Sequence, residues 1–222
     1  LKKKIDYTVF EYDYKFCRYR SPEKHLFEKT EDCCCHLERY GKEVALFLYQ
    51  SNILWWMSQQ QKELYEFKFP FLSKKRESYV LSSTFSERDT SFMKALSSLP
   101  NRNNNGQYLI LNSNSWIKGK EACINFANDN NLSYKLISGL QRQDILRLMS
   151  ESKGLIFLPP GKDTCPRIVI EAKLLGCELE INQNVQHVQE EWFLKNSDEI
   201  YKYLNNQKRY FWKTTEAVIN AE

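Results

Sequence analysis

Short apolar segments alternate with longer amphipathic segments through the second half of the chain. Short apolar segments between polar turns predict buried strands, and apolar residues at helical spacing predict the helices between them. The predicted strands cover residues 107–112, 133–137, 154–158 and 178–182, and the predicted helices cover residues 118–130, 141–152 and 166–175. This β-α-β-α-β-α-β order predicts an α/β protein with a Rossmann-like, doubly wound parallel sheet.

The first half of the chain follows a less regular pattern. Residues 44–57 predict a helix end or strand followed by a short buried strand, in which Trp55 and Trp56 are expected to pack. Ser58 can cap a helix over residues 58–69 that Pro70 ends. The other predicted segments are strands over residues 5–12 and 78–84, an irregular polar stretch over 13–42, a helix over 86–99, a turn or linker over 101–106, and one or two helices over 197–222.

The composition limits the classes of partner. The 222 residues include 32 Lys and Arg against 28 Asp and Glu, which gives a formal net charge of +4. So small an excess argues against a nucleic-acid groove and against a polybasic membrane arm. No apolar run approaches the ~18 residues of a membrane-spanning helix, so no transmembrane segment is predicted.

The cysteine content and the start of the chain bear on its location. Seven cysteines, an odd number, occur without a signal-peptide pattern, which favours reduced thiols and a cytoplasmic protein. Attachment to the periphery of a membrane is left as an alternative. The chain begins at Leu1 rather than Met, so we expect a fragment of a longer protein.

Two predicted loops follow strands of the parallel sheet, at the edge where such sheets bind ligands. The first contains Lys118, a mobile cation suited to a diphosphate. The second leads into a helix for which Asp163 or Thr164 is the predicted N-cap, with Pro166 in the first turn and Gly176 after the last. The free N–H groups at such a helix start favour a phosphate.

An acidic pair completes this predicted site. Glu171 follows Asp163 by eight positions, and two helical turns bring it back to the same cleft. Carboxylates are poor phosphate ligands but good acceptors for sugar or ribose hydroxyls. The other interpretation of the pair is a helix cap followed by an exposed helix carboxylate.

The segment DTCPRIVIEAKLLGC resembles the E-x7-E motif of GT-B glycosyltransferases, in the large retaining family that includes sucrose- and glycogen-synthase-like enzymes. Asp163 and Glu171 fall on the two acidic positions, and Lys118 with Gly119 resembles the Lys-Gly pair of the donor domain. The resemblance extends over roughly residues 5–215, but only residues 107–193 carry specific motifs.

The resemblance implies transfer of a sugar, with retention, from a nucleotide-diphosphate-sugar donor to an acceptor that stays open: a saccharide, a lipid-linked molecule or a protein. It implies a catalytic position near the transferred sugar for Asp163, and no metal requirement for the transfer step. The donor-binding residues that it implies are Lys118, Gly119, Thr164, Arg167 and Glu171.

The chain also departs from the family pattern. Ser113 stands where the usual arginine precedes the lysine, and Arg142 or Arg167 is the expected substitute. The glycine-rich first loop of the acceptor domain is absent, so a non-catalytic glycosyltransferase-like protein is an alternative. The expected domains are a partial N-terminal α/β domain over residues 1–90, a nucleotide-sugar-binding domain over 91–205 and a C-terminal crossover helix over 206–222.

The predicted loop over residues 13–42 carries a second candidate site. Its thiol and imidazole groups suit a structural zinc ion, although the spacing matches no standard zinc finger. The alternatives are a run of reduced cysteines without metal and an iron–sulfur centre. A zinc-containing binding module is accordingly the rival prediction for the whole chain. The candidate ligands are Cys17, His25, Cys33, Cys35 and His36.

Two further residues near the predicted cleft are candidates for a functional role. His187 is either a surface residue or part of the cleft. Cys165, at a helix start, is expected to have a lowered pKa.

Overall fold

The computed structural model describes residues 5–100 and 105–220, and most of the predicted linker at 101–106 lies outside them. The chain forms two compact units. The first takes the residues up to Thr84 and those from Asn206 onward, and the second is Phe85–Asn205. Both units are built on parallel sheets with helices, which confirms the predicted α/β class.

The first unit contains a three-stranded parallel sheet in the order β1-β2-β3. The central strand is the most apolar, and all four of its residues, including Trp55 and Trp56, are buried as expected. The elements are β1 (Thr8–Glu11), α1 (Pro22–Lys29), α2 (Arg39–Gln50), β2 (Ile53–Trp56), α3 (Gln59–Lys68) and β3 (Ser78–Val80).

The predicted irregular stretch over residues 13–42 is wrong in part, because it contains a helix. Ser21 caps α1 by accepting a hydrogen bond from the N–H of Lys24 at 3.2 Å, and Pro22 occupies the first turn. Tyr14 and Phe16, upstream of this helix, are buried in the core of the unit. These two aromatic anchors and the capped helix order a segment whose overall polarity suggested a loop.

The second unit contains a four-stranded parallel sheet in the order β5-β4-β6-β7. All seven elements predicted over residues 107–182 are present with the predicted types. The elements are α4 (Glu87–Ser97), β4 (Tyr108–Leu111), α5 (Lys120–Asp129), β5 (Tyr134–Ile137), α6 (Arg142–Glu151), β6 (Gly154–Phe157), α7 (Arg167–Leu174), β7 (Glu178–Ile181) and α8 (Glu191–Leu194).

Alternate residues of the central strands pack on opposite faces of this sheet. Leu109 and Leu155 belong to one apolar cluster with residues of α6 and α7. Ile110 and Ile156 belong to another, with Cys123 and other residues of α5. Because strand side chains alternate between faces, helices cover both sides of the sheet, as a doubly wound fold requires.

The C-terminal stretch is one helix, α9 (Ser197–Ile219). It begins in the second unit and ends in the first. Within the first unit Phe211 packs against Phe10 and Trp55, with ring centroids 5.3 Å apart in both pairs. None of the helices within residues 5–100 and 105–220 has both the length and the apolarity needed to cross a bilayer.

Candidate functional site

The site lies in the second unit, at the carboxyl ends of neighbouring parallel strands. The chain leaves β4, turns at Trp116–Lys118 and enters α5 through Gly119, whose φ is +60°. A Cβ on Gly119 would lie only 2.0 Å from the carbonyl oxygen of Leu158, in the loop after β6. Gly119 therefore lets the two loops touch through their backbones, and this contact sets the position of Lys118 beside the second loop.

Lys118 and Asp163 form an ion pair across these loops. Lys118 Nζ lies 2.9 Å from Asp163 Oδ2, and 5.5 Å from the ring centroid of Phe157 at the end of β6. The side chains are 31% and 14% exposed, so the pair is open to solvent on one side. A phosphate can compete with Asp163 for the lysine.

The predicted N-cap role of Asp163 and Thr164 is wrong. Pro166 is the residue before α7, and no side chain caps this helix. Asp163 instead forms an isolated parallel bridge with Val185, and its N–H donates to the carbonyl oxygen of Asn184 at 2.9 Å. Thr164 is buried beside it. The side chain of Asp163 pairs with Lys118.

The other end of α7 behaves as predicted. Gly176 adopts a φ of +80° directly after the last residues of the helix. Its N–H donates to the carbonyl oxygen of Lys173, and the N–H of Cys177 donates to that of Ala172, both at 3.0 Å. These bonds form a Schellman motif, which defines the C-terminus of the helix that carries Glu171.

Glu171 is buried and pairs with an arginine. Arg142, the first residue of α6, places Nη2 2.8 Å from Glu171 Oε1 and Nη1 2.8 Å from Asp89 Oδ2. Burial raises the pKa of Glu171, and the guanidinium groups of Arg142 and Arg167 offset this effect only in part. Burial also acts to raise the pKa of Asp89, but its hydrogen bonds to Ser86 and the Arg142 charge outweigh burial and lower that pKa.

Asp89 was not identified from the sequence. It lies in the first turn of α4, which Ser86 caps by accepting a hydrogen bond from the N–H of Asp89. An acidic residue in a capped first turn is common in helices and is no specific signal for a binding site. Its contact with Arg142, 53 positions later, depends on the packing of α4 against α6.

Arg167 is the cation at the start of α7. Its Cζ atom lies 4.4 Å from the ring centroid of Phe85, and the Cζ atom of Arg142 lies 5.7 Å from the same ring. Burial lowers the pKa of the Arg167 guanidinium, and the nearby Arg142 charge lowers it further. An arginine still keeps its proton at neutral pH. Within the described residues Arg167 has no hydrogen bond or ion pair, so its donors are available to an anion.

His187 is buried, which excludes the surface position, one of the two alternatives expected for it. Its ring stacks on Trp192 at a centroid distance of 5.7 Å and meets Phe193 edge-on at 4.9 Å. Neither ring nitrogen has a hydrogen-bond partner among the described residues. Burial lowers the pKa of His187 to about 3, so the imidazole is neutral near pH 7.

The expectation of a lowered pKa for Cys165 is also wrong. Burial, with the negative charges of Glu190 and Asp163, raises the pKa of the Cys165 thiol well above its usual value. The thiol is therefore protonated near neutral pH, which disfavours a role as a nucleophile.

The first unit brings together four of the five candidate metal ligands. One ligand atom from each of Cys17, His25, Cys33 and Cys35 lies within 4.8 Å of all the others. His36 does not join them and packs edge-on against Phe16 instead, at a centroid distance of 6.5 Å. Cys35 and His36 are consecutive in a tight 3₁₀ turn, where neighbouring side chains diverge, so only one of them faces the cluster.

Comparison with known proteins supports the fold. No protein-family model matches the chain, and no curated protein sequence matches it. Among solved structures, the chain is similar to a UDP-forming α,α-trehalose-phosphate synthase from Burkholderia xenovorans, with a TM-score of 0.51 and 7% sequence identity. The match covers 97% of this chain and 63% of that one, so the chain spans less than two thirds of that protein. At this identity the likeness shows the fold alone.

Proposed function

We propose that the chain is a GT-B glycosyltransferase that binds a nucleotide-diphosphate sugar in its second unit and transfers the sugar with retention. The observation that carries this proposal is the pairing of its two acidic residues. Asp163 and Glu171 each contact a cation, Lys118 and Arg142, and these cations follow neighbouring strands of the sheet. The motif resemblance and the likeness to a UDP-forming synthase support the same function.

In this proposal different residues bind different parts of the donor. Glu171 accepts hydrogen bonds from the ribose hydroxyls, and Arg142 positions it. Lys118 and Arg167 bind the diphosphate, with the N–H groups at the start of α7 as further donors. Asp163 lies near the transferred sugar, while Gly119 and Thr164 shape the loops that hold these groups.

During transfer, the bond between the anomeric carbon and the diphosphate oxygen breaks and a bond to the acceptor oxygen forms. The leaving diphosphate gains negative charge as its bond breaks, and its departing oxygen takes the proton that the acceptor hydroxyl loses. Lys118 and Arg167 stabilise that charge electrostatically, so the step requires no metal ion.

Thermal unfolding with a panel of nucleotides tests the donor site. The panel contains UDP, GDP, ADP and TDP with their sugar conjugates, and UDP compounds come first because of the structural neighbour. A ligand at 100 times its dissociation constant should raise the melting temperature by roughly 5–10 °C. Glu171→Gln should remove most of this shift, while Glu151→Gln, an exposed carboxylate on α6, should leave it unchanged. Stabilisation by none of these ligands, or an equal shift in Glu171→Gln, would contradict the proposal.

Ser113, at the usual arginine position, favours a second candidate, a protein that binds the donor without transferring the sugar. Release of the nucleoside diphosphate separates the two candidates. Binding without release, across saccharide, lipid-linked and protein acceptors, would support the non-catalytic function.

A further inference from the structure

We propose that Cys17, His25, Cys33 and Cys35 bind one structural zinc ion in the first unit. This site is independent of the proposed donor site, because none of its four ligands belongs to Phe85–Asn205. The proposal therefore stands or falls separately from the glycosyltransferase function.

The distances within the cluster fit a tetrahedral zinc site. His25 Nδ1 lies 3.4 Å from Cys35 Sγ and 3.8 Å from Cys17 Sγ. With zinc–sulfur bonds of about 2.3 Å and zinc–nitrogen bonds of about 2.0 Å, tetrahedral geometry puts a sulfur and a nitrogen ligand about 3.5 Å apart. The widest separation of 4.8 Å in the cluster needs only a small contraction around an ion.

Two of the three consecutive cysteines belong to the cluster. Cys33 and Cys35 face the cluster, whereas Cys34 is exposed and its thiol donates to the carbonyl oxygen of Asp32 at 3.4 Å. The ligand pattern is therefore C-x7-H-x7-C-x-C, with Cys34 outside it.

The number and type of ligands also favour a metal over a disulfide. A disulfide would use two of the three thiols and leave a thiol and an imidazole without a partner. Three thiolates and one imidazole form a complete zinc set, and four protein ligands leave no open position for substrate. The expected ion is therefore structural.

The position of the cluster explains what an ion would stabilise. Cys17 and Cys35 are fully buried in the same apolar cluster as Phe16. The backbone at Cys35 also packs tightly against α2, because a Cβ on Gly41 of that helix would lie 2.1 Å from the carbonyl oxygen of Cys35. One ion would join the turn after β1, helix α1 and the segment before α2, which are separate along the chain.

Metal analysis of the whole chain, purified under reducing conditions and reconstituted with zinc, tests the site. We expect one zinc per chain in the wild type and in the matched controls Cys34→Ser and His36→Gln. Cys17→Ser, Cys33→Ser, Cys35→Ser and His25→Gln should lose the zinc. His25→Cys should retain it, because a fourth thiolate also completes a tetrahedral zinc site, and this variant separates loss of a ligand from failure to fold.

Cobalt supplies a spectroscopic readout of the same geometry. Replacing zinc by Co²⁺ should produce the intense visible bands of tetrahedral cobalt with sulfur-to-metal charge transfer, in the wild type and in Cys34→Ser. Chelation should lower the melting temperature, and added zinc should restore it. A reduced wild-type protein that takes up neither zinc nor cobalt would overturn the proposal. So would equal metal loss in Cys34→Ser and Cys33→Ser, a disulfide within the cluster, or stoichiometric iron with sulfide in place of zinc.

Discussion

Arg142 donates a hydrogen bond from Nη2 to Oε1 of Glu171 at a distance of 2.8 Å. The other end of the same guanidinium pairs with Asp89, so both of its edges are occupied. In the proposed donor site Arg142 accordingly positions Glu171. Arg167 is then the better candidate, within that proposal, for the arginine role that Ser113 does not supply.

Arg142→Met should destabilise the second unit by about 1–3 kcal/mol near pH 7, because it leaves the buried carboxylate of Glu171 without its charged partner. Burial already raises the pKa of Glu171, and removal of the arginine raises it further. A carboxyl group whose pKa is raised in the folded state makes the protein less stable as the pH rises. The loss of unfolding free energy caused by Arg142→Met should therefore become smaller as the pH is lowered. Urea unfolding of the wild type and of Arg142→Met at several pH values measures this difference in unfolding free energy.

Arg147→Met is the matched control for this prediction. Arg147 lies on the same helix and pairs with Asp144, but both side chains are more than half exposed. Its loss should change the unfolding free energy by less than about 1 kcal/mol. Equal effects of the two substitutions would contradict a special role for Arg142.

Gly119→Ala should destabilise the protein and weaken nucleotide binding, because the new methyl group clashes with the carbonyl of Leu158 and displaces Lys118. Gly139→Ala is the control: its φ is +68°, but a Cβ there meets nothing within 4 Å. Gly139→Ala should cost only the left-handed backbone penalty of about 1–2 kcal/mol. Urea unfolding and nucleotide titration compare the two variants, and equal losses would argue against the loop contact.

Lys118→Met and Arg167→Met should each weaken binding of the nucleoside diphosphate more than binding of the monophosphate of the same base. Loss of one charged hydrogen bond corresponds to about 1.5–3 kcal/mol, or roughly 10–150-fold in affinity. Lys120→Met is the control, because it removes the same charge from the residue after Gly119, where the lysine pairs with Glu121. It should leave the ratio of diphosphate affinity to monophosphate affinity unchanged. Calorimetric titration measures all three, and an unchanged ratio in Arg167→Met would exclude it from the diphosphate site.

His187 should make the protein less stable in mild acid. Burial lowers its folded-state pKa from 6.5 to about 3, so the unfolded chain binds a proton that the folded protein excludes. Stability is therefore lost as pH falls below 6.5, by about 2 kcal/mol at pH 5. Urea unfolding between pH 7 and pH 5 should show this loss in the wild type and a smaller one in His187→Gln. Parallel pH profiles would mean that the imidazole becomes protonated in the folded state.

Local features of the sequence were sufficient to predict the strand and helix order. Ser58 caps α3 as predicted, and Gly176 follows α7, because capping and chain reversal depend on residues within one or two turns. The alternation of apolar strands with amphipathic helices likewise predicted the parallel sheet of the second unit. A motif only nine residues long likewise directed attention to Asp163 and Glu171.

Only the tertiary structure decided which side chains meet. The bridge from Asp163 to Val185 and the pairing of Arg142 with Glu171 join residues 22 and 29 positions apart, and strand and helix packing determines them. The choice of His25 over His36 depends on where helix α1 folds back onto the cysteines. The sequence determined the helices and strands, and the side chains available for binding, because these depend on neighbouring residues. The partner of each side chain depends on contacts between distant segments, which no local pattern encodes.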